Sequence, residues 1–353
     1  MPYPKIIGLD VGSHSVKMVE IDRSKKGGVR LDFVGLAQLP EGAIVDKAIK
    51  KPDLVRTAIS ALHRSSKTAT KHVATSLAGK SVIIKQVTMT SMGDGQLEKQ
   101  IQMEAEPYIP FDIKDVHLDW FIMGDRPEKE GTMEVVLVAA KKDYMAEYLE
   151  LITGLKLSPV VVDVDAFTLE VMYEFCYPNV QEEIVALINV GASTININIL
   201  KSGASQYTRD LPLGGESITR EIMRMFDVNF ERAENIKQGA QLEGINPRNL
   251  RKIFQRSVDS FVSEIQKILD FFATNVSYDP IQKIFLSGGA AVTYGLASAM
   301  ETEFNVPVEL VDPFRSLGMI DDKVFDAEYL RSIGPSMAVA FGLALRTEKD
   351  KQV

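Results

Sequence analysis

Cysteine is nearly missing from this 353-residue chain: Cys176 stands alone, which excludes an internal disulfide and suits a reducing compartment. Long hydrophobic runs are missing too. Segments such as VVLVAA (135–140) fall far short of the ~18 apolar residues that a membrane span needs. The start, MPYPKIIGLD, carries one lysine and its apolar run stops at Asp10, so no signal peptide is expected. Positive charge is not in excess. A net charge of −8 argues against nucleic acid as the partner, because phosphate backbones are gripped by concentrated Lys and Arg. The most basic stretch, HRSSKTATKH (63–72), reads as a solvated helix end. No segment has the low complexity of a disordered linker. What remains, 45% hydrophobic and 25% charged, describes a globular chain long enough for about two domains. The expected location is the cytoplasm, with any membrane association running through another protein and no direct insertion.

What is present is a repeat. KIIGLDVGSHSVKMVEI opens the chain, and ALINVGASTININIL returns half a chain later. The first copy predicts strands over 5–11 and 15–22 around a turn at Gly12-Ser13-His14. A KKGG turn (25–28) and a third strand, VRLDFVGLAQL, follow. Residues 52–66 then place Leu54, Ala58, Ile59 and Leu62 on one helical face, with Pro52 near the start. HVATSLA (72–78) predicts a buried strand. The second copy repeats the order, with strands over 185–190 and 194–200, a turn at Gly191-Ala192-Ser193, a third strand near 204–211, and a helix from Gly214-Gly215. Two segments interrupt the repeat. One is a small α+β piece with SVIIKQVTM and MEVVLVAAK as strands and QLEKQIQMEAEPYI and KDYMAEYLELITGL as helices; the other is a mainly helical stretch. The expected division is 1–79 with 159–184, an insertion 80–158, then 185–215 with 279–353, and a helical insertion 216–278.

Duplicated hairpins point to a ligand held between halves. Gly12 lets backbone approach a ligand, and successive turn amides can cup an anion. Asp10, at the end of the first strand, suits a hydrated magnesium ion. Lys17 on the returning strand offers a point charge to phosphate. A strand–glycine–strand hairpin alone is common, and the second copy gives it weight. FLSGGAAVTYGLASAM (285–300) runs from an apolar strand into a turn where Gly288 and Gly289 leave room for a flat ring, with a helix start behind. ERAENIKQG (231–239) sets Glu234 and Lys237 on one helical face, as a surface ion pair or as a clamp for ribose hydroxyls.

Taken in order, these motifs resemble the actin, sugar-kinase and heat-shock-chaperone ATPase superfamily. The resemblance implies an α/β, duplicated actin-like (ribonuclease H-like) two-lobed fold with an FtsA-like inserted α+β subdomain. It implies ATP and Mg2+ as cofactors. The first phosphate loop falls on Asp10, Gly12, Ser13, Ser15 and Lys17, the second on Asn189, Gly191, Ala192, Ser193 and Thr194. The adenosine contacts fall on Gly214, Gly215, Glu234, Lys237, Gly288, Gly289 and Ala290. DVDAFTL (163–169) and SIGPSMAVAFGLAL (332–345) match the connecting helices. QMEAEPYIPFDIKDVHLDW (102–120) is similar to the corresponding stretch of the PilM family of type IV pilus assembly, and the likeness runs over essentially the whole chain. That family implies capture of the N-terminal cytoplasmic tail of the inner-membrane protein PilN in a groove between the first lobe and the insertion. Contacts with other inner-membrane pilus proteins and self-association stay open. Tyr108 and Phe111 are candidates for the groove, although a helix stopped by Pro107 and Pro110, with both rings packed into the core, is the favoured reading of the side chains themselves.

One departure stands out. Catalytically active relatives begin the second hairpin with Asp, and here Asn189 accepts a hydrogen bond but carries no charge. The residue that positions the attacking water falls on Asp163 or Asp165, with Asp163 preferred; either also suits a helix cap. The resemblance therefore implies catalytic roles for Asp10 and Asp163, with slow or negligible turnover. Two other readings remain in view: an FtsA-like filament-forming scaffold and a small-molecule kinase of the same superfamily.

Overall fold

The computed structural model describes residues 5–23, 28–45, 47–125, 131–178, 183–240, 244–318 and 320–348. The turn expected at 25–28 therefore lies, Gly28 apart, outside the described residues.

The first lobe opens with the antiparallel strands β1 (Ile7–Val11), β2 (Ser15–Asp22) and β3 (Arg30–Gln38), followed by a small ribbon of β4 (Ile44–Val45) and β5 (Ala48–Ile49). Helix α1 (Pro52–Ser66) leads to β6 (His72–Leu77), which lies parallel to β1. The buried stripe of α1 is Val55, Ala58, Ile59 and Leu62. Leu54, expected inside, is 40% exposed, because a stripe centred on Val55 and Ile59 turns the preceding residue ~100° away.

An excursion follows: β7 (Val82–Thr90), α2 (Asp94–Ala105), β8 (Val116–Asp125) and β9 (Thr132–Lys141). Its sheet, ordered β7-β9-β8, closes a separate core around Leu97, Ile101, Val135 and Leu137. Strand β8 is not anticipated from the sequence. His117 and Asp119 face outward between Val116, Leu118 and Trp120, but the alternation breaks at Phe121, which is 53% exposed, so only a short run of alternating polarity announces the strand. Helix α3 (Lys142–Thr153) falls inside the expected insertion, yet Tyr144, Tyr148, Leu151 and Ile152 pack with Ile7, Leu9 and Ile59. The separate core thus ends before α3 rather than at residue 158. Strand β10 (Ser158–Val164) completes the first sheet beside β6, and α4 (Asp165–Cys176) crosses to the second half.

There the order repeats: β11 (Ile184–Val190), β12 (Ile195–Lys201), β13 (Ala204–Leu211), the helices α5 (Gly215–Phe226), α6 (Phe230–Lys237) and α7 (Pro247–Asn275), then β14 (Lys283–Ser287), α8 (Leu296–Phe304), β15 (Val308–Leu310) and α9 (Ala327–Ala344). The two five-stranded sheets, β10-β6-β1-β2-β3 and β15-β14-β11-β12-β13, have one topology. Helices α5 to α7 share a core with the second sheet through Ile218, Ile236 and Phe261, so the helical stretch forms no separate body.

Helices α4 and α9 carry the join. Leu169, Met172, Phe341 and Leu343 lie in one cluster with Val19 of the first sheet and Val185 and Phe285 of the second. Close approach is made possible by two glycines. A Cβ on Gly8 would collide with the Ala340 carbonyl of α9, and a Cβ on Gly342 with the Thr168 carbonyl of α4. The duplicated fold expected from the sequence is the fold observed.

Candidate functional site

The two hairpins that the repeat predicts meet tip to tip. Each is closed by the same tight turn: Gly12 N donates to Ser15 O at 3.1 Å, and Gly191 N to Thr194 O at 2.9 Å. The Ser13 and Ser193 hydroxyls are hydrogen-bonded across the cleft at 2.7 Å. Ser15 and Thr194 are buried behind the tips.

Register explains what stands behind each tip. Asp10 pairs with Lys17 across β1 and β2, and Asn189 pairs with Asn196 across β11 and β12. In the first lobe this makes an ion pair, Lys17 Nζ to Asp10 Oδ2 at 2.9 Å. In the second lobe it makes an amide pair, with Asn189 Nδ2 donating to Asn196 Oδ1 at 3.1 Å. The chain of bonds continues. Ser287 Oγ donates to Asn189 Oδ1 at 3.3 Å, Asn196 Nδ2 donates to Asp210 Oδ1 at 2.7 Å, and Asp210 Oδ2 accepts from Gly79 N of the first lobe at 2.9 Å. Asn196 and Asp210 were missed from the sequence, though Asn196 follows Asn189 by the same spacing as Lys17 follows Asp10.

Gly214 and Gly215 seat the second hairpin on α5. Gly215 N and Glu216 N donate to the carbonyls of Gly191 and Ala192 at 2.9 and 2.8 Å, so these first amides of the helix hold the hairpin. A Cβ on Gly214 would lie 2.6 Å from both carbonyl oxygens. On α6, Glu234 Oε1 accepts from Lys237 Nζ at 2.6 Å and from the Thr219 hydroxyl. Lys237 also reaches Thr219 Oγ1 at 2.8 Å. The Glu234 Oε2 atom faces His14 Nε2 of the first hairpin at 3.6 Å, and the imidazole lies 6.0 Å from the Phe230 ring. Burial holds the His14 pKa below its ordinary value despite the Glu234 carboxylate, so the ring is neutral at pH 7. A cavity of about 290 Å³ opens here, lined among others by Ser13, His14, Ser193, Phe230, Glu234 and Lys237. Asp10, Lys17 and residues 288–290 lie outside its lining.

Gly288 is buried with φ +99°, its amide bonded to the Pro335 carbonyl at 2.7 Å, and Ala290 N bonds to Val190 O at 2.9 Å. Gly289 is exposed, and a Cβ there would meet nothing within 4 Å. The helix expected directly behind this turn begins only at Leu296, because 288–295 form an extended series of turns; its N-terminus does not back the two glycines.

The structure gives the two candidate acids different surroundings. Asp163, preferred from the sequence, is on β10 and its Oδ2 accepts from Arg346 Nε at 2.6 Å. Asp165 is instead the first residue of α4, buried, accepting from Ser76 Oγ at 2.6 Å with Lys47 Nζ 3.8 Å away. Burial, and next the nearby carboxylates of Asp10 and Asp210, push its pKa up to about 6 against the pull of Lys47 and Ser76. Asp165 is therefore the acid that shares the field of Asp10. Among the described residues, no three His, Cys, Asp or Glu side chains form a metal-ligand group. A single hard oxygen ligand, Asp10, in a surplus of carboxylate field fits a magnesium ion that keeps most of its water.

In the insertion, Tyr108 ends the short 3-10 turn Glu106–Tyr108 that follows α2 and is 41% exposed. Phe111 is half-buried beneath the Lys141 ammonium, 4.4 Å from its ring centre.

Comparison with known proteins places this geometry. Residues 8–348 match the family described as type IV pilus assembly protein PilM. A solved "PilM-PilN type IV pilus biogenesis complex" superposes with a TM-score of 0.86 at 27% identity, covering 98% of this chain and 99% of that one. MreB 5 of Spiroplasma citri bound to AMPPNP shares the fold, with a TM-score of 0.54 at 10% identity over 99% of this chain and 97% of that one. The cell division protein FtsA of Neisseria meningitidis serogroup B is 23% identical over 171 residues, 42% of this chain and 41% of FtsA. The match thus spans less than half of that relative.

Proposed function

Because the chain belongs to the PilM family of actin-like type IV pilus assembly proteins, we propose that it binds ATP with magnesium between its lobes and captures the N-terminal cytoplasmic tail of PilN. The observation that carries the nucleotide reading is the pair of facing turns, with the Ser13 and Ser193 hydroxyls 2.7 Å apart. Two anion-cupping turns aimed at one gap suit a polyphosphate held from both sides.

In this reading the backbone amides of 13–15 and 192–194 and the two serine hydroxyls receive the phosphates, replacing the Ser13–Ser193 bond, while the amides of Gly12 and Gly191 keep the turns closed. Lys17 adds a point charge. Asp10 holds the water shell of magnesium, whose charge offsets that of the phosphates. Glu234 keeps one oxygen for Lys237 and Thr219 and offers Oε2 to the ribose hydroxyls. The bare Gly289 leaves space for the ring. The Asn189–Asn196 pair stands where the first lobe has a carboxylate and an ammonium, so the second hairpin puts no charged side chain of its own behind its tip. A carboxylate–cation pair at 4 Å is worth about 4 kcal/mol at an effective dielectric near 20. Losing ~2–3 kcal/mol of this in the transition state slows hydrolysis by tens- to a hundredfold, and binding through amides is largely retained.

The PilM–PilN complex that the chain resembles supports the partner. No helix among the described residues is long and apolar enough to cross a membrane. The proposed location is therefore the cytoplasmic face of the inner membrane, reached through PilN. The test is calorimetric titration of the purified protein with ATP·Mg, with and without a synthetic PilN tail peptide. Binding of both is expected, with turnover far below one per second. Absence of both binding events overturns the reading, and a turnover of several per second overturns its slow-hydrolysis part.

A further inference from the structure

The function proposed above leaves Lys47 unused. It sits in the turn between β4 and β5 with φ +67°, a left-handed backbone that glycine adopts freely. A long side chain holds it only under strain. The side chain does not turn outward: it is 18% exposed, and its Cγ would lie 3.1 Å from a Cβ on Gly79. The Lys47 carbonyl accepts from the Tyr148 hydroxyl at 3.2 Å, which anchors the turn on α3.

The ammonium stands 3.8 Å from Asp165 Oδ2. Burial works to lower the Lys47 pKa, but the charges of Asp165, Asp10 and Asp210, together with the Tyr144 phenol, outweigh it and hold the group cationic. Asp10 and Asp165 belong to the first lobe and Asp210 to the second, where Asp210 is bound across the cleft by Gly79 N. Lys17 answers Asp10. Without Lys47, Asp165 and Asp210 would face the cleft with hydrogen bonds but no counter-charge from this side.

We propose that Lys47 is a resident counter-cation of the phosphate cleft, supplying in the absence of magnesium the positive charge that lets the acidic cleft accept a nucleotide. The proposal rests on the reading of this cleft as a nucleotide site. Its physical basis is that carboxylates left uncompensated in a partly dry cleft repel an approaching polyphosphate over several ångströms. A bound divalent ion removes that repulsion, and so does an ammonium already in place.

The test uses the full chain carrying Lys47→Met, Lys47→Gly or Lys47→Arg. Glycine relaxes the left-handed backbone, so this variant separates charge from folding. The Kd for ATP is measured in EDTA and in excess magnesium. Lys47→Met and Lys47→Gly are expected to raise the Kd in EDTA about tenfold or more, to leave the Kd in magnesium nearly unchanged, and Lys47→Arg to behave as the parent protein. Equal weakening in both buffers would make Lys47 a phosphate ligand, and no change in either would make it a bystander; both results overturn the proposal. A second measurement needs no nucleotide. Millimolar magnesium should raise the Tm of nucleotide-free Lys47→Gly and leave that of the parent unchanged, and equal responses overturn the proposal. A parent protein that binds no ATP in either buffer fails the reading of the cleft, and the thermal comparison then decides the role of Lys47 alone.

Discussion

Adjacent glycines at 288 and 289 should separate folding from binding. A Cβ on Gly288 would run into the Val190 carbonyl and lie 2.8 Å from Asn189 Oδ1, on a backbone with φ +99°. Left-handed strain of roughly 1–3 kcal/mol adds to an overpacking penalty of similar size, about 1–3 kcal/mol. Gly288→Ala is therefore expected to destabilise the protein by about 2–5 kcal/mol. One residue on, a Cβ on Gly289 meets nothing within 4 Å, so Gly289→Leu should leave the Tm within the scatter of surface substitutions, about ±0.5 kcal/mol. Its side chain would instead fill the space assigned to the nucleotide ring. Excluding the ring from that space should raise the Kd for ATP at least about tenfold, a loss of about 1.4 kcal/mol. Thermal unfolding and ATP titration of both variants are the assays. A folded Gly289→Leu protein that binds ATP as tightly as the parent would refute the placement of the adenosine.

Three further outcomes follow from particular contacts. Asn189→Asp should destabilise the nucleotide-free protein by about 1–3 kcal/mol in denaturant unfolding, since Asn196 Oδ1 would lose its donor and face a carboxylate, while Asn196 Nδ2 is held by Asp210; unchanged stability would show that the amide chain rearranges freely. Burial, and then the neighbouring Glu174, raise the Glu170 pKa from its ordinary 4.5 to about 8. The folded state therefore binds this proton more tightly, and stability declines as pH rises from about 4.5 to about 8. Glu170→Gln should thus be more stable than the parent at pH 8, by on the order of 2–4 kcal/mol, with the difference vanishing near pH 4; a pH-independent difference in Tm would exclude the titration. Tyr108→Ala should weaken binding of the PilN tail peptide without loss of stability, whereas Phe111→Ala also removes packing beneath Lys141. Full affinity in a protein with both changes would remove these residues from the partner groove.

The sequence by itself determined the duplication and the residues at each turn. Hairpins are local: strand alternation, a tight turn and a seven-residue spacing, from Asp10 to Lys17 and from Asn189 to Asn196, place the pairs in register with no knowledge of the rest. That the second hairpin lacks charge was legible for the same reason. Local periodicity did not reveal β8, where the alternation from Val116 to Trp120 breaks at the exposed Phe121, nor did it separate the small core from α3, whose inward face looks alike whichever core receives it.

Only the tertiary structure decided the surroundings of the two candidate acids. Asp163 and Asp165 are two residues apart, but β10 ends between them, so Asp163 stays on the strand facing Arg346 while α4 turns Asp165 toward Ser76. The partners that surround them come from far along the chain: Arg346 for Asp163, Ser76 and Lys47 for Asp165, Gly79 for Asp210. The meeting of Gly79 with Asp210 depends on how closely α4 and α9 draw the two sheets together. That distance is a property of packed volume and backbone approach, summed over both lobes, and no window of sequence contains it.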